Sequence, residues 1–460
     1  MAWGGTLILA AGLALGSAPV VSAAGAEVDL DVVTKVVTAY QDLVDSHWTD
    51  SNCSLSSCVN ASSSVFASSG DKKSQRGSSF GGSSKKNRDE KKNSGENPKF
   101  TQAEALFLRV RDEMKDFGLP IKTAKSTIKV TDAKLDASGK AVVSVKIGTT
   151  KTYENNEDTP SYMVDNHTLT LAPNQGNLFA VVEDVINPVP QEKDPGNVQI
   201  PEGVTFDPVP LDRILGTETS GGNRPVANTS DAEFSLLQAH KDLDTVSTHP
   251  VQNVWTHPSK KQGKPDVQKM INYALYWTDE KVDDPNDDED VINPAYPKLD
   301  SNCANFVSQV LEAGGWTRQV GQHHGSGDPY AWSPKSTDGR GQEPTNTWSL
   351  ARALYAYAKI DSPYHNLEVS LAQPGDLIFV DWDPNGRADG VIDHAMVVTG
   401  KGKMRRLHAI DSPAIAYTPL ISQKTKSRNN FPLFESVALA HKGDDRINVK
   451  DIKWYALTTR

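Results

Sequence analysis

Residues 300–315 constrain the fold of this chain more than any other stretch, because they combine a short amphipathic helix with a cysteine at its start. Ser301 and Asn302 are residue types that favour the N-cap position. Apolar residues follow at helical spacing and two glycines end the pattern, at Phe306, Val307, Val310, Leu311, Gly314 and Gly315. The pattern therefore predicts a short helix with Cys303 in its first turn.

This position gives Cys303 two possible roles. Backbone N–H groups and the positive end of the helix dipole lie at a helix start, and both favour a thiolate over a thiol. A cysteine placed there is a potential nucleophile if a histidine lies nearby. The alternative is a buried structural cysteine that packs the helix onto a sheet. The helix pattern alone does not distinguish the two roles.

The N-terminal residues predict an exported protein. Residues 6–15 form a short apolar run, and residues 21–23 have the small-x-small pattern of a cleavage site, so we interpret residues 1–26 as a signal peptide. A membrane anchor is the alternative, but the run is short and is broken by glycine and proline. No later segment is long and apolar enough to predict a membrane span.

The cysteine content supports a reactive thiol. The chain contains three cysteines. Cys53 and Cys58 are close neighbours that could pair after export, in a bridge that closes a very small loop and stabilises little. Cys303 is then the odd cysteine, and an odd cysteine in an exported protein indicates a reactive thiol.

Composition predicts two folded domains joined by a linker. Residues 27–186 show two helical patterns followed by four strand patterns, which predicts a small α+β domain. Within it, residues from about 51 to 98 are rich in Ser, Gly, Asn and Lys, which predicts a disordered insert. Prolines accumulate in residues 187–263, which predicts a linker, and residues 264–460 form the last domain.

The last domain carries two histidines that are predicted to meet. Helices are predicted at 265–277 and 348–358, and strands at 377–380, 393–400 and 404–410. We expect the last two strands to form a hairpin across a turn at 400–402. Such a hairpin brings His394 and His408 together on one edge of the sheet.

A cysteine at a helix start beside two such histidines is a papain-like arrangement. In this arrangement Cys303 attacks an amide carbon, His394 takes the thiol proton, and His408 holds the His394 ring in its working tautomer. The Cys303 backbone N–H is the predicted donor to the oxyanion, with Tyr296 or Asn302 as a second donor.

Four segments of the last domain occur in a characteristic order: NPAY at 293–296, NCANFVSQ at 302–309, PGDLI at 374–378 and IDH at 392–394. Together they resemble the bacterial putative amidase domain family, over roughly residues 264–416. That family is similar in layout to the NlpC-type and CHAP cysteine amidases of cell-wall metabolism. The resemblance implies a papain-like (NlpC-type) α+β domain, in which the helix that carries the cysteine packs on an antiparallel sheet. It also implies hydrolysis of amide bonds in peptidoglycan.

The segment before His394 has a second interpretation, because it is longer than the family pattern leads us to expect. Four potential ligands occupy positions one, three, five and nine of a calcium-loop spacing: Asp381, Asp383, Asn385 and Asp389. The glutamate usual at position twelve is replaced by Ile392. A structural calcium ion is therefore one interpretation, and a polar hairpin loop is the other.

These observations predict a secreted cysteine amidase or peptidase that acts at the cell wall through an acyl-thioester. We expect a monomer without a required cofactor, and peptidoglycan or a peptide as substrate. The net charge of −10 at pH 7 gives no indication of nucleic-acid binding. Two alternatives remain open. One is a hydrolase with zinc held by Cys303, His394 and His408, and the other is a cell-wall-binding protein without catalysis.

Overall fold

The structure is a computed structural model of the chain. It describes residues 28–50, 100–154, 156–174, 178–187, 198–208, 261–283, 285, 291–319, 325–335, 343–382, 389–405, 415–443 and 452–460. The predicted signal peptide and the predicted Ser-rich insert, with Cys53 and Cys58, lie outside these residues.

The chain divides into two compact units. Unit 1 comprises residues 1–105, 130–145 and 167–186, and unit 2 comprises residues 106–129, 146–166 and 187–460. Unit 2 therefore contains the predicted last domain together with two segments that the sequence had placed in the N-terminal domain.

Helices and antiparallel strands are both present among the described residues, which confirms the α+β class. The helices are α1 (Leu30–Thr49), α2 (Gln102–Asp116), α3 (Val267–Thr278), α4 (Cys303–Ala313), α5 (Asn346–Ser349), α6 (Ala351–Asp361) and α7 (Leu433–Gly443). The strands are β1 (Ile121–Leu135), β2 (Ala141–Tyr153), β3 (Ser161–Asn174), β4 (Leu178–Ile186), β5 (His365–Asn366), β6 (Leu377–Asp381), β7 (His394–Arg405), β8 (Ile415–Gln423), β9 (Arg428–Pro432) and β10 (Lys453–Thr458). No helix in the described part of the chain is long and apolar enough to cross a membrane.

The described part of unit 1 combines α1 with the β3–β4 ladder. Thr101 and Glu104 form a capping box at the start of α2: Thr101 Oγ1 accepts from the Glu104 N–H at 3.2 Å, and Glu104 Oε2 accepts from the Thr101 N–H at 2.9 Å. His167 is buried with its Nδ1 2.8 Å from Asp184 Oδ1, and the Tyr40 hydroxyl donates to the same carboxylate at 3.1 Å. The ring partner of His167 is thus Asp184, in a buried network that supports a structural role.

The C-terminal strands of unit 2 form an antiparallel sheet in the order β9-β8-β7-β6-β10-β5. The start of β3 adds to this sheet beside β9, with Tyr162 opposite Asn429 and Met163 opposite Arg428. The apolar face of α4 packs with α3, α6 and one face of the sheet in a single core, whose members include Phe306, Val307, Val310, Leu311, Leu377, Phe379, Ala395, Val397, Tyr455 and Leu457. Complete burial of each large apolar side chain contributes about 1.5–3 kcal/mol, so this core fixes α4 against the sheet.

A tight turn at residues 373–376 leads into β6. Asp376 N–H donates to the Gln373 carbonyl at 2.9 Å, and Gly375 has a φ of +91°. Proline at the second and glycine at the third position are typical of a type II turn. A Cβ atom at Gly375 would also lie 2.8 Å from the side chain of Val267, so glycine allows the start of α3 to approach the turn.

The predicted hairpin between strands 393–400 and 404–410 is wrong. β7 runs without a turn from His394 to Arg405, and its neighbour on this side is β8. Gly400 and Gly402 lie inside the strand, where a Cβ atom would come within 3.2 and 3.0 Å of the Leu420 side chain. These glycines therefore allow a large side chain of β8 to lie against β7, and they do not mark a turn.

Part of the predicted linker is folded into unit 2. Phe206 stacks on Tyr355 of α6, with ring centroids 5.3 Å apart, and Lys359 Nζ donates to the Thr205 carbonyl at 2.6 Å. Residues 198–208 are therefore not only a spacer, because an aromatic side chain anchors them on the helix.

Candidate active site

The start of α4 places the Cys303 thiol against the segment that leads into β7. Cys303 is the first residue of the helix and is completely buried. Its Sγ donates to the Asp393 carbonyl at 3.8 Å, and Ser301 Oγ lies 3.7 Å from the same sulfur. The structure thus brings the predicted nucleophile to the peptide unit directly before the predicted base. A thiol is a weak donor and a carbonyl oxygen an acceptor, so the two groups are complementary.

Asn302 occupies the predicted N-cap position, but its side chain does not cap α4. Its Oδ1 accepts from the Leu299 N–H at 3.1 Å and from Asn305 Nδ2 at 2.9 Å, while its Nδ2 donates to the Leu299 carbonyl at 2.6 Å. The side chain predicted as a second oxyanion donor is therefore bound to the loop before the helix. The Asn302 side chain therefore accepts no hydrogen bond from the first-turn N–H groups of α4, which lie next to the thiol.

His394 begins β7 and is only 4% exposed. Its ring stacks on Trp382, with centroids 5.3 Å apart and planes 25° from parallel. Burial lowers the pKa of the imidazole to about 4, although the Gln423 side chain and the Asp393 charge both act to raise it. The ring is therefore neutral at pH 7, which is the form that can accept a proton.

Gln423 at the end of β8 is a residue that the sequence reasoning missed. Its Nε2 donates to the Lys426 carbonyl at 3.1 Å, which leaves Oε1 as the group that can meet the His394 ring. Among the described residues, His394 Nε2 and Gln423 Oε1 are both buried without a well-formed hydrogen bond. A ring N–H and an amide oxygen are complementary, and the Gln423 side chain acts to raise the pKa of the His394 ring.

The strand prediction explains why Gln423 was missed. The sequence reasoning assigned residues 404–410 as the neighbour of β7, and that assignment drew attention to His408. The run of strand-forming residues that ends at Gln423 was the signal that could have identified the true neighbour. His408 itself lies outside the described residues, and Arg405, the last residue of β7, is at the opposite end of the strand from His394.

Tyr296 is buried and stacks on Trp348, with ring centroids 5.7 Å apart. Burial raises the pKa of its phenol, and so do the charge of Glu312 and a hydrogen bond to it. Glu312 lies nine residues after Cys303, about 14 Å along the helix axis. The Tyr296 hydroxyl is thus engaged with a carboxylate far along α4, and the structure does not bring it to the thiol.

The candidate calcium loop is described only in part, because Asp383 and Asn385 lie outside the described residues. Asp381 Oδ2 accepts from the Gly390 N–H at 3.0 Å, and Asp389 Oδ1 accepts from the Val391 N–H at 2.7 Å. Both carboxylates therefore order the backbone of the loop. Across the residues that the structure describes, no group of three or more His, Cys, Asp or Glu side chains is placed to hold a metal ion.

The helix start, the β7 histidine and the turn before β6 all lie within one family match. Residues 264–447 match the family model of the putative amidase domain. The match confirms the resemblance predicted from the four motifs, and Cys303, His394 and Gln423 all lie inside the matched residues. Strands β3 and β10 belong to the same sheet but lie outside the amidase match.

One curated protein is similar to the chain over a shorter stretch. The chain is 30% identical over 115 residues to the uncharacterized protein YhbB of Bacillus subtilis (strain 168). This alignment covers 24% of the chain and 33% of the relative, so the chain spans about a third of that protein's length. No solved structure shows a significant similarity to the chain.

Proposed function

We propose that this protein is a secreted cysteine amidase in which Cys303 is the nucleophile and His394 is the base. The observation that carries the proposal is the contact between Cys303 Sγ and the Asp393 carbonyl, because it places the thiol beside the histidine strand within a matched amidase domain. The family match supports hydrolysis of an amide bond, and the position of the cysteine at a helix start supports the nucleophile.

In the proposed reaction, the thiol proton leaves Cys303 Sγ, where it faces the Asp393 carbonyl, and passes to the neutral His394 ring as the sulfur attacks the amide carbon. The tetrahedral oxyanion receives hydrogen bonds from first-turn N–H groups of α4, which the Asn302 side chain does not occupy. The imidazolium then protonates the amine as the C–N bond breaks, which leaves an acyl-thioester. A water molecule that gives a proton to His394 hydrolyses this thioester and regenerates the thiol.

Gln423 is the proposed partner that orients His394. An amide oxygen that accepts from the ring N–H fixes the tautomer and stabilises the imidazolium during catalysis. This assignment replaces the predicted role of His408, whose hairpin argument the structure contradicts.

Peptidoglycan is the proposed substrate class, and the cell wall the proposed place of action. The support is the apolar N-terminal run with its cleavage pattern and the likeness of the domain to cell-wall amidases. The predicted export and the family likeness support the substrate class only by analogy. The substrate therefore has to be identified from the products of the reaction.

Cys303→Ala tests the proposal directly. We expect the variant to release no fragments from purified peptidoglycan, as followed by mass spectrometry, because the nucleophile is absent. Ser301→Ala is the matched control, since it removes the other group near Sγ and should keep most of the activity. Hydrolysis by Cys303→Ala at the wild-type rate excludes Cys303 as the nucleophile.

Two further outcomes favour the alternatives. Wild-type activity that resists alkylation but is lost with a chelator favours the zinc hydrolase. Binding of the protein to sacculi without release of products favours the non-catalytic cell-wall-binding protein.

A further inference from the structure

The turn between β8 and β9 has an unusual backbone. Thr425 and Lys426 have φ values of +62° and +59°, in the left-handed region that few residues other than glycine adopt. A β-branched residue such as Thr425 is particularly unfavourable there. Residues persist in such a conformation only when the surrounding contacts hold them, so we asked which contacts hold this turn.

Buried polar contacts anchor the turn on both sides. Lys424 Nζ pairs with Asp283 Oδ2 at 2.7 Å, and both side chains are 1% exposed. Gln423 Nε2 donates to the Lys426 carbonyl across the turn at 3.1 Å. These contacts fix the two ends of the turn and leave the Thr425 side chain in a defined place.

The Thr425 hydroxyl reaches the residue directly before the proposed nucleophile. Thr425 Oγ1 accepts from the Asn302 N–H at 2.6 Å, and both residues are buried. The side-chain hydrogen bonds of Asn302 go to Leu299 and Asn305 of the same segment, whereas the Thr425 contact joins this segment to the β8–β9 turn. The four-residue turn at 424–427 thus contacts the start of α4 through Thr425.

We propose that Thr425 is a positioning residue that fixes the start of the Cys303 helix through its hydrogen bond to the Asn302 N–H. This proposal rests on the proposed function only in taking Cys303 as the nucleophile. The bond holds the Ser301–Asn302 peptide unit, one residue before Cys303, and thereby orients the start of the helix whose first-turn N–H groups face the sulfur. Without it, residues 299–302 lose this link to the β8–β9 turn, and we expect the helix start to stabilise the thiolate less well.

A purely structural role predicts a different outcome. If Thr425 only helps to fold the turn, its replacement lowers the melting temperature and leaves the ionisation of Cys303 unchanged. The pH dependence of thiol alkylation separates the two roles, because only the thiolate reacts. This readout needs no knowledge of the substrate.

The test compares Thr425→Val with Thr425→Ser in the full chain. Valine keeps the shape and the branched Cβ but has no acceptor, whereas serine keeps the hydroxyl. Each protein is treated with iodoacetamide across a pH series, and the peptide that contains Cys303 is quantified by mass spectrometry. We expect the pH midpoint of alkylation to rise in Thr425→Val by about one unit, which is about tenfold slower reaction below the midpoint. Thr425→Ser should match the wild type.

Three outcomes overturn the proposal: the same midpoint in Thr425→Val as in wild type, the same shift in both variants, or a wild-type Cys303 that does not react in the folded protein. Peptidoglycan hydrolysis measured in parallel separates this proposal from the proposed function. An unshifted midpoint with hydrolysis that still requires Cys303 removes only the role of Thr425. Hydrolysis that persists in Cys303→Ala removes the proposed function itself.

Discussion

Burial gives His394 a well-defined protonation state at neutral pH. The ring lies between Trp382 and the end of β8, and burial outweighs the groups that favour the imidazolium, so the pKa falls to about 4. A base of this kind accepts a proton readily only when a partner stabilises the cation that forms. Gln423 Oε1, which lacks a well-formed hydrogen bond among the described residues, is placed to become that partner.

The depressed pKa of His394 predicts acid sensitivity of the fold. Between pH 6.5 and 4 the unfolded chain binds a proton at this position and the folded protein does not. The neutral ring therefore makes its full contribution to the free energy of unfolding above pH 6.5. This contribution falls as the pH drops below 6.5 and is lost as the pH falls through 4. This shift in the His394 pKa corresponds to a change of about 3 kcal/mol in the free energy of unfolding.

Urea unfolding at pH 7, 5.5 and 4 measures this effect in wild type and in His394→Gln. The carboxylates titrate in both proteins, so the difference between them isolates the histidine. We expect the wild type to lose more of its free energy of unfolding than the variant over this range. An equal loss in the two proteins contradicts the burial of a neutral ring.

At the scale of secondary structure, the sequence predicted the elements that depend on local pattern. The helix that carries Cys303 was predicted because its apolar spacing and its C-terminal glycines are local signals, and it runs from Cys303 to Ala313. Pro374 and Gly375 are likewise local signals, since they favour one turn type, and they form the turn before β6. These two elements already place the nucleophile and one buried strand.

The neighbour of β7 could not be predicted from local pattern. Glycines at 400 and 402 have the composition of a turn, yet they serve the close approach of Leu420 from another strand. The sequence does not show such a contact, because it depends on which strands pair. The choice of partner strand then decided which side chain was assigned to orient His394.

Two substitutions distinguish the rival orienting residues, Gln423 and His408. We expect Gln423→Leu to lower kcat/KM by roughly tenfold to a thousandfold, since it removes the oxygen that fixes the ring and keeps a similar size. His408→Ala should remain close to wild type. The reverse ranking assigns the role to His408. Inactivation of His408→Ala together with loss of bound zinc supports the metal alternative.

At the scale of the whole molecule, some residues that are buried in unit 2 lie outside the residues that match the amidase family. Arg428 on β9 is bound to Asp165 on β3 by two hydrogen bonds of 3.1 and 3.0 Å. Glu435 on α7 is bound to Lys151 on β2, and both side chains are buried. These partners lie before residue 264, within the segments 146–166 that also belong to unit 2.

The domain boundary drawn from the sequence therefore leads to a testable prediction about truncation. A protein that begins at residue 264 loses the β3 ladder next to β9, and it leaves Arg428 and Glu435 without their buried counter-charges. Removal of one partner from a buried pair costs about 3–5 kcal/mol, and a domain has only about 5–15 kcal/mol of stability in total. We expect residues 264–460 alone to be insoluble or to lack a cooperative thermal transition by circular dichroism.

The control deletes only residues 52–97, whose composition predicts no contribution to folding. That shortened chain should melt within a few degrees of the full protein and keep its activity. A 264–460 fragment that unfolds cooperatively at the temperature of the full chain would show that the first strands of unit 2 are dispensable.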